Sequence, residues 1–324
     1  MFEAFQPLAV VTRAGVTESL HTGAVVGLDA AGLVVLAAGD PGVGIVPRSC
    51  WKPIQAMAMV EAGLSVPPDQ LAVVSASHAG TPGHLSRVAG ILADAGLSAG
   101  DLRNVAAYPL DVDSAREAIR SGADPSALFM NCSGKHAGML ATCVVNRWET
   151  GPEYLDLGHP LQRHIVTVSR RLAPEVGIVG PDGCGAPAVA CSLLGLARAF
   201  RHVALSGTDS AHSVRLAMIG NPVLSAGRGR VVTDFMTAIP GLLAKEGAEG
   251  VFAAVMPDGR TVAMKIADGS LRPVRPLLMA ALGRLGVDVG AARAVGTEAV
   301  NAGGRTVGEV RVVDGLFDTR WSGA

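Results

Sequence analysis

The rhythm of apolar and polar positions changes twice along the chain. Residues 8 to 46 carry short β-branched runs (AVVT, AVVGL, LVVLAA) separated by Gly-rich turns, the pattern of antiparallel hairpins. From about Pro53 to Ile219 the spacing is helical. Ile54 to Ala62, His84 to Ala95, Ser114 to Arg120, Gly134 to Arg147, Leu161 to Leu172, Pro187 to Phe200 and Ser210 to Ile219 each predict an amphipathic or buried helix. Strands return at Gly250 to Met256 and Arg260 to Ala267, joined by the turn Pro257-Asp258-Gly259, and again at Thr306 to Val313. Strands at both ends around a helical middle predict an α+β fold, in which N- and C-terminal strands share one antiparallel sheet and the helices cover it or form a lobe beside it. Gly and Pro are dispersed and no repeat is visible, so residues 1–324 read as a single domain with two lobes.

Composition narrows the class of chemistry. A chain of 324 residues, 49% of them hydrophobic, buries a substantial core. Lys and Arg number 27 against 28 Asp and Glu, so no net field draws the protein to nucleic acid or to an acidic membrane surface, and a small-molecule partner is the better expectation. The opening MFEAFQPLAVVTRAG has neither a basic start nor a continuous apolar stretch, unlike a secretory signal. Ala24 to Ala38 is broken by Asp29 and glycines and is too short to span a bilayer. A cytoplasmic protein is expected. There the five cysteines stay reduced, and each reads as buried or metal-binding. A mean hydropathy of +0.38 points to apolar surface hidden in a homodimer.

Candidate chemistry begins at Ser49-Cys50-Trp51-Lys52. A serine hydroxyl needs a base to become nucleophilic, and a lysine neutralised by burial can serve. On a helical turn, residues three apart share a face. Pro53 biases Lys52 away from helical geometry, so the pair is expected in the turn leading into a helix that starts at Pro53. Ser77-His78 ends the apolar run LAVVSASH. Lys265 stands in the apolar strand TVAMKIA, either at a sheet edge or buried beside a partner.

Two further segments collect ligands. Asn131-Cys132-Ser133-Gly134-Lys135-His136 enters an apolar helix with a thiol, an amine and an imidazole within five residues, so Lys135 or His136 shares a face with Cys132. Asp182-Gly183-Cys184-Gly185-Ala186-Pro187 sets Cys184 among glycines that permit close backbone approach, ahead of a helix expected at Pro187 whose N-terminus favours an anion. Two thiolates and one nitrogen suit Zn²⁺ with an open fourth position, although no CxxC spacing points to it and small core cysteines are the alternative.

Taken together, RSCWKPIQAM at 48 to 57, SASHAG at 75 to 80, NCSGKHAGML at 131 to 140, DGCGAP at 182 to 187 and MKIADG at 264 to 269 resemble the asparaginase II family of L-asparaginases. The resemblance implies a fold similar to serine β-lactamases and glutaminases. It implies Ser49 with Lys52 as one dyad and Ser77 with Lys265 as a second, with zinc held by Cys132, Lys135 and Cys184. It further implies that Arg48, His136 and Asp182 line the substrate site, that L-asparagine is the substrate, and that the protein is a homodimer. Charge alone suits Arg48 to the substrate α-carboxylate and Asp182 to the α-ammonium. A glutaminase is the near alternative, since one methylene changes binding by only about 1 to 3 kcal/mol. A β-lactamase is expected to carry Lys-Thr-Gly where this chain reads Lys265-Ile266-Ala267, and a non-catalytic binding protein has no reason to keep both serines and both lysines.

Overall fold

The computed structural model describes residues 2–318. The chain runs through strands β1 (Gln6–Arg13), β2 (Val16–Leu28), β3 (Val34–Ala38) and β4 (Gly44–Ile45). Helices α1 (Lys52–Glu61), α2 (Pro68–Val74), α3 (Pro82–Asp94), α4 (Val112–Arg120), α5 (Ser133–Asn146) and α6 (Pro160–Leu172) follow. Then come β5 (Gly177–Pro181), β6 (Pro187–Ser192), α7 (Leu193–Leu205), α8 (Asp209–Gly220), α9 (Pro222–Ser225) and α10 (Val231–Ala238). The last elements are β7 (Leu243–Gly247), β8 (Val251–Val255), β9 (Thr261–Ile266), α11 (Val274–Arg284), β10 (Glu298–Ala302) and β11 (Arg305–Val312). Two compact units result.

Among the described residues, the first unit comprises 2–50, 191–205 and 234–318. Its eight-stranded sheet has the order β10-β11-β1-β2-β9-β8-β7, with β3 also on β2. Every pairing is antiparallel, so strands from both chain ends do share one sheet. Helix α7 packs on β2, β8 and β9, and α11 on β9 and β11. Burial of every residue of β8 explains why VFAAV is apolar without alternation, while the equally buried β7 carries Lys245 and Glu246 inside the unit. Strand β9 lies inside the sheet, so Lys265 is not on an edge strand.

The second unit comprises residues 51–190 and 206–233. Helix α5 is its centre, buried from Ser133 to Cys143 and packed by α1, α2, α3 and α6. A helix apolar on all sides fits such a position, and the few polar groups it carries must find partners inside. Two glycines let it approach α2. A Cβ at Gly138 would lie 2.7 Å from Val74 Cγ1, and one at Gly134 would meet the Val73 carbonyl oxygen.

Most predicted helices form within two residues of the expected ends. Pro187 to Phe200 does not. Pro187–Ser192 is a strand whose first four residues pair with β5, and the helix starts only at Leu193. Burial in PAVACS does not follow a period of two, with Ala188 and Val189 both inside, so the ladder with β5 and not a local pattern makes this segment a strand. The anion-favouring helix N-terminus expected at Pro187 is therefore absent, and Cys184 sits in a hairpin turn. The run read as LAVVSASH is in part helix α2.

Gly134→Ala is expected to destabilise the protein by about 1 to 3 kcal/mol, the usual cost of overpacking a tight contact. Urea unfolding checks this, and an unchanged midpoint would show that α5 has room to shift.

Candidate active site

A strained turn precedes the first candidate residues. Arg48 has φ +52°, a left-handed conformation that costs a non-glycine residue about 1 to 2 kcal/mol. The 3₁₀ turn Arg48–Trp51 then leads straight into α1. The helix begins at Lys52, one residue earlier than expected, with Pro53 in its first turn where a missing N–H costs nothing. Ser49 and Arg48 are half-buried in this turn. The bulky residues between Ser49 and Lys52 are committed to the interior. The Cys50 thiol lies 2.9 Å from the Lys245 carbonyl oxygen, and Trp51 Nε1 donates to Ser169 Oγ at 2.9 Å.

Lys52 is buried, and its Nζ lies 2.6 Å from the Ala76 carbonyl oxygen, 3.4 Å from that of Asn131 and 3.1 Å from Ser77 Oγ. Burial holds its pKa below the ordinary lysine value, with the Lys135 cation acting in the same direction and the Cys132 and Cys184 sulfurs opposing. A neutral amine has two protons and one lone pair. In that state the two carbonyls can take only protons, which leaves the lone pair for the Ser77 hydroxyl; the ammonium form donates to Ser77 Oγ instead. The lysine implied for the first dyad thus touches the serine implied for the second.

Lys265 Nζ donates to the carbonyls of Glu249 and, at 3.0 Å, Ile266. Burial lowers its pKa, against Glu249 and Asp268.

The N-terminal turn of α5 and the β5–β6 hairpin turn bring the sulfur and nitrogen groups together. Asp182 N donates to the Ala186 carbonyl at 2.7 Å, closing the turn, and Gly185 takes φ +90°. This places Cys184 Sγ 3.0 Å from Lys135 Nζ. Hydrogen bonding from Cys132 is the largest influence on Cys184. It holds the thiol far below its usual range despite burial, and Lys135 and His136 add to it. The same contact, with burial, pushes the Cys132 thiol up. Burial alone would lower Lys135, but the Cys184 and Cys132 sulfurs outweigh it and push its pKa up to about 12. The half-buried Asp182 carboxylate acts on Lys135 in the same direction.

His136 is buried, its Nδ1 2.7 Å from the Tyr154 hydroxyl. Tyr154, from the 3₁₀ turn Pro152–Leu155, carries no motif and was missed by sequence reasoning. The available signal is a tyrosine, one of two in the chain, inside the otherwise polar stretch ETGPEYLDLG. A second missed contact is His78 Nε2 to Ser133 Oγ at 2.9 Å, which ties the Ser77 segment to the start of α5.

As a zinc site the donor set fits on chemical grounds. Two sulfurs and one amine converge, while among the described residues no group of three His, Cys, Asp or Glu could hold a metal. A zinc here requires the amine of Lys135, which must shed its proton on binding.

These segments fall within a sequence match to the L-asparaginase II family that covers residues 9–312. This chain belongs to that family. As an asparaginase II family member it is a hydrolase acting on amides. No curated protein sequence matches it. Among solved structures it is similar to a β-lactamase from Mycobacterium bovis, with 16% identity, 81% of this chain and 94% of that chain covered, and a TM-score of 0.45. Mglu in its tris and glutamate form gives 13% identity, 81% and 59% coverage and a TM-score of 0.38. A Bacillus glutaminase in 4.3 M NaCl gives 13%, 76% and 83%, with a TM-score of 0.32. These distant likenesses leave the family and the geometry to carry the functional argument. No helix among the described residues is long and apolar enough to cross a membrane.

The site generates a pH prediction. A base must be neutral to accept a proton, and Lys52 loses its proton at lower pH than an ordinary lysine of pKa about 10.4. Turnover is expected to rise with pH along a limb whose midpoint lies below that value. A rate flat from neutral to strongly alkaline pH would exclude a lysine base.

Proposed function

We propose that the protein hydrolyses L-asparagine to L-aspartate and ammonia through a serine activated by lysine. The observation that carries this reading is the buried Lys52, lowered in proton affinity and set at the start of a helix directly after the strained Arg48–Ser49 turn. Strained turns of this kind commonly present nucleophiles.

In this mechanism Ser49 Oγ attacks the side-chain amide carbon while neutral Lys52 takes the hydroxyl proton. Backbone N–H groups stabilise the oxyanion. The C–N bond breaks as the proton held by Lys52 passes through Ser77, with Lys265 assisting the relay, to the leaving nitrogen; ammonia departs, leaving a β-aspartyl ester on Ser49 and Lys52 neutral again. Water then attacks the ester carbon while Lys52 takes its proton, and that proton returns to Ser49 Oγ as the ester bond breaks and L-aspartate is freed. Arg48 and Asp182 pair with the substrate α-carboxylate and α-ammonium, and His136 lines the site. Cys132, Lys135 and Cys184 would hold a zinc ion, which supplies Lewis-acid polarisation or fixes the site in shape when bound.

A second reading has its own observation. Lys52 Nζ lies within hydrogen-bond distance of Ser77 Oγ, 3.1 Å, so Ser77 is a candidate nucleophile with Lys52, once neutral, as its base. Ammonia release from asparagine, glutamine and a β-lactam tests the activity, with asparagine expected to be preferred. Ser49→Ala is expected to lower kcat at least about a thousandfold with the fold intact. Near-normal turnover in Ser49→Ala, with Ser77→Ala inactive, would transfer the nucleophile to Ser77.

The metal is tested separately. Elemental analysis is expected to find about one zinc per chain, lost in Cys132→Ser or Cys184→Ser because two ligands seldom hold the ion. Lys135→Ala should weaken zinc binding and His136→Ala should retain it. Retention in the first and loss in the second would replace the amine by the imidazole.

A further inference from the structure

His136 is the better zinc ligand on general grounds, four residues from Cys132 and buried in the same cluster, yet the donor geometry favours Lys135. The reason lies in which ring nitrogen of His136 carries the proton. Tyr154 is fully buried, and its hydroxyl has two neighbours, the Arg103 backbone N–H at 3.2 Å and His136 Nδ1 at 2.7 Å. The Arg103 N–H can only donate, so the hydroxyl accepts from it. The hydroxyl's own proton then has one acceptor within reach, His136 Nδ1. If Nδ1 carried a proton, two protons would contest one 2.7 Å contact and the buried phenol proton would be left unpaired, at a cost of about 1 to 3 kcal/mol.

With Nδ1 accepting from the phenol, the single proton of the neutral ring sits on Nε2, which is buried and makes no hydrogen bond to the described residues. Burial favours this uncharged ring.

We infer that Tyr154 is a positioning residue that locks His136 in the Nε2–H tautomer, so that neither ring nitrogen offers a lone pair to a metal and Lys135 is left as the available nitrogen. This deepens the proposed zinc site and rests on that reading only for the role of Lys135; the tautomer itself requires neither zinc nor activity. From Arg103 N–H to Tyr154 to His136 runs a directed row of donors, in which each group's proton points the same way. Gln162 fixes the tyrosine from behind, its Nε2 donating to the Tyr154 carbonyl at 2.8 Å.

The test is a two-bond proton–nitrogen correlation spectrum of the full chain labelled with ¹⁵N-histidine. His136→Gln assigns the signal, and spectra are recorded with zinc chelated and with zinc added. The expected result is a protonated Nε2 and a bare Nδ1 in both conditions, with loss of this single-tautomer pattern in Tyr154→Phe, which keeps the ring but removes the donor. A proton on Nδ1 in the wild-type protein would overturn the inference, as would loss of the Nε2 proton on zinc addition, or an unchanged pattern in Tyr154→Phe. The wild-type spectra alone decide the tautomer if that variant does not fold. A chain that binds no zinc and still shows Nε2–H would contradict the proposed metal while supporting the tautomer.

Discussion

The contact between the Lys135 ammonium and the Cys184 sulfur is the interaction on which the second unit's chemistry depends. An amine buried without an anion would neutralise or pull its helix toward water, since an unpaired charge in the interior costs several kcal/mol. Here the partner is the Cys184 sulfur, its thiol held far below the usual range by Cys132 and Lys135, on the β5–β6 turn that a glycine in the left-handed region closes. The amine arrives on a helix that can reach the site because Gly134 and Gly138 let it lie against α2. Local backbone requirements in two distant segments of sequence therefore meet at one 3.0 Å contact.

The two buried lysines of this unit show how environment divides roles. Lys52 faces main-chain carbonyls and a serine hydroxyl, which carry no formal charge, and burial depresses its proton affinity. Lys135 is equally buried but lies 3.0 Å from the Cys184 sulfur, and the sulfurs of Cys184 and Cys132 push its pKa up to about 12. Groups of one chemical type driven apart in this way are the usual mark of divided acid, base and ligand duties. The first is suited to accept a proton and the second to hold charge, or to bind metal once that charge is displaced.

Much of this was legible in the sequence because it is local. Hairpin turns such as Pro257-Asp258-Gly259 and amphipathic runs such as His84 to Ala95 declare themselves in a short window, and the family match rests on short segments in order. Pro187 misled because its apolar run also fits a helix, and only pairing with β5 settles it as a strand. The Lys52 to Ser77 contact joins residues 25 apart, and the row from Arg103 to Tyr154 to His136 depends on the 3₁₀ turn at Pro152 docking beside α5. No spacing rule reaches such contacts, because they are set by packing of whole elements.

The central claim is that a serine carries the acyl group during amide cleavage, with Ser49 in that role. Its most direct measurement is peptide mapping by mass spectrometry of enzyme quenched in acid during turnover of L-asparagine. The account predicts a β-aspartyl ester on the peptide containing Ser49. An ester found on the peptide containing Ser77 would contradict the assignment.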